Sequence, residues 1–296
     1  HSLFEDGSIV HNQWLADQHP IDPTIRFVKE LKSVLSKNDG SIFMYSNHEN
    51  TVLKSAKDRM ISNLEKYQEE ISFIDSITYI KVSPEKISEF ERLENNYWSK
   101  IANQNIKNGK QLGWALMRKF GTAGNNDVNY AFINAHETIA DLLNPGWMNS
   151  ANKLGINPNN IRTDYEVYEI HHYKIQDQIL GNNDAKVWIW NYAKPKNLNG
   201  FLSENKNIWS PLHAKNIKSK SNPMKNWGIG TKIYPTGTNE STVMTWDGFS
   251  SIEDALKTLD LSEWTPPKGS KMNEYDPDGF RLRVIWEQVK YVNGSE

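Results

Sequence analysis

An imidazole at His213 and a guanidinium at Arg118 are the side chains whose settings in this sequence suggest chemistry. His213 closes the run Trp209-Ser210-Pro211-Leu212-His213. An imidazole there can serve as a general base or metal ligand near neutral pH, or stand as a partly exposed helix residue. Arg118 lies in a strand whose alternation puts Trp114, Leu116, Arg118 and Phe120 on one face and Gly113, Ala115 and Met117 on the other. A guanidinium on a bulky face must reach solvent, pair with a carboxylate such as Glu169, or await an anionic ligand. A second strand repeats the pattern, with Trp227, Ile229, Thr231 and Ile233 against Asn226, Gly228 and Gly230. Trp114 and Trp227 are therefore either core packing or the lining of a ligand cavity. The bulky faces suit contact with an opposite sheet, and the small faces suit a helix or a pocket.

Other chemistries find less support. His171 and His172 point to opposite faces of one strand and His136 lies elsewhere, so no metal site is expected. Asp276-Pro277-Asp278-Gly279 lacks the further oxygen ligands of a calcium loop and reads as a turn. No phosphate loop, serine nucleophile elbow or paired-histidine zinc motif occurs, and no cofactor is called for. Without cysteine there is no disulfide framework and no thiolate nucleophile. Lysine plus arginine (34) nearly cancel aspartate plus glutamate (36), which removes the positive field that gathers nucleic acid. The sequence holds no apolar run of membrane-spanning length. His1 in place of an initiator methionine points to a processed or truncated chain, so the cellular compartment is left open.

The elements that position these residues occur twice. An offset of 111 pairs Pro84 with Pro195, Phe90 with Phe201, Trp98 with Trp209, and Asn105-Ile106-Lys107 with Asn216-Ile217-Lys218. An offset of 113 then pairs Trp114 with Trp227, Lys119 with Lys232, Ile139 with Ile252 and Leu143 with Leu256. For the last element, aromatic matching suggests 118, setting Val167-Tyr168-Glu169 against Ile285-Trp286-Glu287. A repeat of about a hundred residues is too long for a solenoid unit, so each copy should be a small domain and the pair a pseudo-twofold assembly.

Within the first copy, Ile77 to Val82 reads as a strand and Ser83-Pro84-Glu85 as a helix start. Asn108-Gly109 ends that helix; Leu112 to Phe120 and Val128 to Ala135 form a hairpin around Gly121 to Asn126. A short helix from Thr138 to Leu143, a looser stretch from Asn144 to Asn160 and a strand from Asp164 to Lys174 complete the unit. The order is β-α-β-β-α-β, the ferredoxin-like split unit. In the second copy Pro211 predicts a kink or restart just after Trp209, and Trp264 to Gly279 reads as an insertion before the last strand. The first seventy-odd residues stand apart. They order as strand (Gly7 to His11), helix after Asp22-Pro23, strand (Ser41 to Ser46) and helix from about Asn50, a piece of α/β sheet.

Tandem units carrying Phe90, Trp98 and Gly113-Trp114, with partners Phe201, Trp209 and Asn226-Trp227, resemble the dimeric α+β barrel superfamily. More narrowly, the Trp-x-x-(Ile/Leu)-His helix resembles that of an uncharacterised group of bacterial proteins; Ala102 replaces His213 in the first copy, so a histidine site would exist in one half only. This resemblance implies two facing sheets closed as a barrel, in a superfamily that includes cofactor-independent monooxygenases, haem-handling enzymes and binding proteins. The opening segment, through Asp22-Pro23, Gly40-Ser41-Ile42 and Tyr45 to Leu53, resembles part of a bacterial domain of unknown function related to ribonuclease-H-like exonucleases. That resemblance implies a vestigial acid at Glu49, and one carboxylate cannot build a two-metal clamp.

The expected architecture is α+β: two tandem ferredoxin-like repeats (77–182 and 183–296) forming a pseudo-dimeric barrel, preceded by a partial α/β segment (1–74). The expected role is small-molecule binding or structural. The ligand would be apolar or anionic, and Trp114, Arg118, Trp227 and His213 are the candidate contacts. A cofactor-independent monooxygenase or isomerase acting in a barrel pocket is the alternative, and an inactive nuclease fragment the third reading. Self-association is left open, because the repeat already supplies a partner sheet.

Overall fold

The computed structural model describes residues 2–3, 9–10, 73–121, 128–181, 184–260 and 265–294. The chain divides into two compact units, His1–Ile71 and Ser72–Glu296. In the first, β1 (Ser2–Leu3) pairs antiparallel with β2 (Ile9–Val10), inside the stretch expected as a strand. Glu49 and the two expected helices of this unit lie outside the described residues.

The second unit is an α+β barrel. Its strands are β3 (Ile74–Lys81), β4 (Gly113–Lys119), β5 (Tyr130–His136), β6 (Glu166–Ile179), β7 (Val187–Ala193), β8 (Asn226–Tyr234), β9 (Val243–Phe249) and β10 (Leu282–Val292). They close in the order β10-β4-β5-β3-β6-β8-β9-β7, every neighbouring pair antiparallel. Closure satisfies every ladder and leaves no edge for another chain to pair with.

One offset relates all the ladders. Adding 113 converts Ile74↔His136 into Val187↔Phe249, Gly113↔Ala135 into Asn226↔Gly248, and Ile74↔Lys174 into Val187↔Glu287. The seams obey it too: Tyr173↔Lys232 answers Trp286↔Lys119, and Ile179↔Trp227 answers Val292↔Trp114. One bulge is shared as well, the register shift between Ile175 and Asp177 answering that between Gln288 and Lys290. The closing strands thus match at 113, not 118, and Trp264 to Gly279 is no net insertion. The aromatic match misled because Trp286 and Tyr168 face different surroundings: Trp286 is buried, whereas Tyr168 is 41% exposed.

The covering helices keep the offset of 111. Helix α1 (Ile87–Leu93) passes through a π-helical turn, Glu94–Trp98, into α2 (Ser99–Lys107). Helix α5 (Leu198–Glu204) likewise passes through Asn205–Trp209 into α6 (Ser210–Ser219). The break before Ser210 is therefore not the work of Pro211, which sits in the first turn of α6 where its missing donor costs nothing. Between them, α3 (Ile139–Leu143) is capped by Thr138, whose side chain accepts from the Asp141 amide. The stretch expected to be loose contains α4 (Trp147–Lys153) and a 3-10 turn, Pro158–Ile161. In the second half α7 (Ile252–Leu259) is capped by Ser251 in the same way, and α8 (Met272–Tyr275) follows. β6 runs five residues beyond the expected end, because those residues build the seam with β8.

The bulky faces of β4 and β8 turn outward, the reverse of contact with the opposite sheet. Trp114 and Leu116 pack with Phe90 and Ala102 beneath the helices, and Trp227 and Ile229 pack with Phe201 and Ala255. The interior belongs to Tyr79, Trp190, Tyr173 and Trp286, with Ala115 and Met117 from the small face of β4. Eight strands enclose little more than their own side chains, so large residues from some strands require small ones from others. A Cβ at Gly228 would lie 2.2 Å from Cζ2 of Trp246, and one at Gly248 would lie 2.8 Å from Cζ3 of Trp188.

Candidate functional site

The second half carries a polar row across the outer face of its sheet, under the helices. Register sets Trp227 on β8 beside Asp247 on β9, Thr245 beside Asn191 on β7, and Asn191 beside Arg283 on β10. Asn191 and Asp247 have the parity of Ile189 and Phe249, which belong to the helix-facing core. Asn191 Nδ2 donates to Asp247 Oδ2 at 2.8 Å and to Thr245 Oγ1 at 3.1 Å, and Arg283 Nε donates to Asn191 Oδ1 at 2.7 Å. The Asn191 amide thus relays between a buried acid and a half-buried base. Burial pushes the Asp247 carboxyl above its ordinary range, against the opposing pull of Asn191 and Arg283. Burial likewise loosens the hold of Arg283 on its proton, offset in part by Asp247. Phe280 lies over the guanidinium, its centroid 5.4 Å from Cζ.

Beside this row stands an aromatic sandwich. The His213 ring stacks between Trp209 (5.9 Å) and Trp227 (5.3 Å), each at 28°. Trp209, at the end of the π-helical turn, precedes His213 of α6 by four residues, a helical spacing that puts both on one face. Burial between the indoles lowers the imidazole pKa to about 4, so the ring is neutral at physiological pH, and its buried Nδ1 has no hydrogen-bond partner among the described residues. Trp209 also donates through Nε1 to Glu204 Oε1 at 3.0 Å. That carboxylate is further held by Ser270 and by the Lys271 amide, which ties α5 to the loop before α8.

The sequence-expected residues thus divide. His213 and Trp227 meet, and Trp114 and Arg118 lie in the other half. Trp114 is buried beside Phe132 beneath α2, a packing position outside the barrel interior. Arg118 is held by Glu91 (3.3 Å) and Glu287 (3.5 Å), not by Glu169. In a closed barrel β4 pairs with the closing strand of the opposite half, so the facing carboxylate comes from β10. Glu169 instead approaches His171, its Oε2 2.8 Å from Nε2. His172 faces outward against Tyr234, and His136 is buried with Nδ1 3.1 Å from the Lys110 carbonyl oxygen. Among the described residues no three metal-ligating side chains converge, and no helix is long and apolar enough to cross a membrane.

Asn191, Thr245, Asp247 and Arg283 were not visible as a group, because four separated strand positions share no motif. The repeat holds the signal: at an offset of 113 they replace Thr78, Phe132, Asn134 and Ile170, so an acid stands where the first copy has an amide and a base where it has an isoleucine.

Fold and site together define an α+β protein built on a closed eight-stranded antiparallel barrel. Among solved structures, the chain is similar to a candidate monooxygenase from Lactobacillus acidophilus NCFM at 12% identity and TM-score 0.46, covering 75% of this chain and 97% of that one. It is similar to an anthrone oxidase-like protein at 8% identity and TM-score 0.47, covering 77% and 96%. A mutant chlorite dismutase from Candidatus Nitrospira defluvii follows at 8% and 0.43, covering 76% and 94%. No protein-family model matches the chain, and no curated protein does.

Proposed function

We propose that this protein binds a small planar anionic ligand in the helix–sheet layer of its second half. The observation that carries the reading is the Asp247–Asn191–Arg283 row, a hydrogen-bonded network with an acid and a base where the first half has the uncharged Asn134 and Ile170. Burying such groups costs stability unless they are fully paired, and a guanidinium half-buried beside a carboxyl that resists ionisation retains affinity for an added anion. The ligand's ring would lie against the Trp209–His213–Trp227 stack, and its anionic group would pair with the Arg283 guanidinium. The underlying fold we read as a tandem pair of ferredoxin-like units, 77–182 and 183–296, closed as a pseudo-dimer; the shared offset of 113 supports this. Residues 1–74 we keep as a separate segment, without a catalytic role.

Benzoate is a suitable probe, titrated by calorimetry into the full chain. Arg283→Met should weaken its binding about tenfold or more, as expected for loss of a charge-assisted contact. Equal affinity in the variant would remove the proposed anchor. A cofactor-independent isomerase or monooxygenase reading draws on a different feature, the unpartnered Nδ1 of neutral His213, which suits proton abstraction. It requires deuterium exchange into an enolisable ketone that His213→Leu abolishes.

A further inference from the structure

The barrel interior has its own polar groups, and several lack partners. Tyr79 and Tyr192, related by the offset of 113, meet across the interior with their hydroxyl oxygens 2.8 Å apart. In such a pair one phenol donates to the other, and the second proton has no acceptor among the described residues. Trp286, 2% exposed and tilted against Trp190 with centroids 4.7 Å apart, has its buried Nε1–H unpartnered. Its ring centroid lies 6.1 Å from that of Tyr79. On the facing β3, Asp75 has the parity of Ile77 and Tyr79, and its buried Oδ1 is unpartnered too. Native interiors rarely leave such groups unmatched. Two spare donors and a spare acceptor in one interior describe the complement of a missing molecule.

The walls indicate its shape. Ala115 and Ala131 are small, Tyr79, Trp190 and Trp286 are flat, and Ile133 and Ala135 stay partly exposed although their parity is inward. Solvent therefore reaches interior positions of the first half. In the second half Trp246 and Trp188 stand at the positions equivalent to Ile133 and Asp75, over Gly228 and Gly248. The interior is thus more heavily filled on one side of the pseudo-twofold. At the rim, Glu169 contacts His171 at 2.8 Å, and His171 Nδ1 lies 3.5 Å from the Tyr173 hydroxyl. Lys232 is neutralised by Glu240 at 2.6 Å. Burial and the nearby Lys232 favour neutral His171, against the pull of Glu169. The rim charge of Lys232 is thus paired, and burial pushes the Asp75 carboxyl up to about 7, so the interior presents polar groups without the half-buried guanidinium of the Arg283 site.

We propose that the barrel interior is a second ligand site, which takes a small neutral aromatic compound bearing both a carbonyl and a hydroxyl group. Its carbonyl oxygen accepts from Trp286 Nε1 and the Tyr79–Tyr192 pair, its hydroxyl donates to Asp75, and its ring lies among Trp190, Trp286 and Tyr79. The probe is 4-hydroxyacetophenone, titrated into the full chain while the indole N–H resonances are followed by NMR. The Trp286 resonance is assigned by its loss in Trp286→Phe. A saturating shift of that resonance is expected, together with about tenfold weaker binding by calorimetry in Tyr79→Phe/Tyr192→Phe, which removes only two hydroxyls. The calorimetric comparison stands even if Trp286→Phe does not fold. A resonance unmoved up to the solubility limit, equal shifts of all indoles, or unchanged affinity in the tyrosine variant would each overturn the site. So would a tightly held water that the ketone does not displace.

Discussion

The two helix–sheet layers of this barrel occupy equivalent places and are filled with different chemistry. Beneath the helices of the first half, Phe90, Tyr130, Phe132 and Tyr165 form a continuous aromatic cluster, Phe90 lying 4.9 Å from Tyr130 and 6.1 Å from Phe132, and Phe132 lying 5.7 Å from Tyr165. Beneath those of the second, Phe201 keeps the place of Phe90, while Val243 and Thr245 replace Tyr130 and Phe132. Asn191, Asp247 and Arg283 stand where the first half has Thr78, Asn134 and Ile170, and His213 where it has Ala102. The ladders are unchanged, so backbone register cannot account for the difference. An aromatic cluster gains from every buried ring, whereas a buried acid–amide–base row at best breaks even. One half is therefore built as packing, and the other gives up packing for polar groups.

The contrast is tested most sharply by breaking the row at one end. Arg283→Ile leaves Asp247 with the Asn191 amide but no cation, and should cost about 3 kcal/mol in urea unfolding near pH 8. Because the carboxyl already resists ionisation, the cost should shrink as falling pH protonates it. Adding Asp247→Asn and Asn191→Thr completes the first-half set, and the triple variant should recover most of the loss. An Arg283→Ile protein as stable as wild type would mean that the guanidinium is solvated and the row is ornamental.

Inside the barrel the asymmetry is steric. Gly228 lies under Trp246, and the first half has Ala115 and Ile133 in those places. Gly228→Ala should cost about 2 kcal/mol, since the indole must move. Combined with Trp246→Ile it should cost less than the two single changes together, by about 1 kcal/mol or more in a double-mutant cycle. Strict additivity would show that the two sites do not touch in solution.

Those steric pairs also show what could be read from the residues and what could not. The chain reversal into a helix at Pro84, the short helix from about Thr138 and the alternation of β4 and β8 follow from local rules, and the structure has a 3-10 turn at Pro84–Lys86 leading into α1, and α3 beginning just after Thr138. Which face turned inward did not follow, because it depends on Trp190, Trp286 and Tyr79 claiming the interior from other strands. The same reason hid the Arg118 partner. Glu287 is adjacent only once the barrel closes, and closure is a property of the two halves together. Trp227 stood out as a rare type in register with Trp114, and His213 as a histidine that the first copy lacks, while Asp247 looked like any strand residue until its outward neighbours were known.

His213 gives the last separation of the halves, through pH. In the unfolded chain its pKa lies near 6.5, and between the indoles it falls to about 4. Between those values the unfolded chain binds the proton more readily, so His213 lowers stability as pH falls through this window. Ala102, fully buried at the equivalent place, contributes nothing of the kind. Wild type minus His213→Leu, measured by unfolding from pH 8 down to pH 4, should therefore change by roughly 1–3 kcal/mol against wild type. The comparison cancels the carboxylates that titrate in both proteins, including Glu240, held low by Lys232, and Asp141, held low by Thr138 and then Lys110. A difference that stays flat would mean that the imidazole charges freely in the folded protein. It would then be a solvated cation instead of a neutral acceptor between two tryptophans, and proton abstraction from a buried ligand would lose its base.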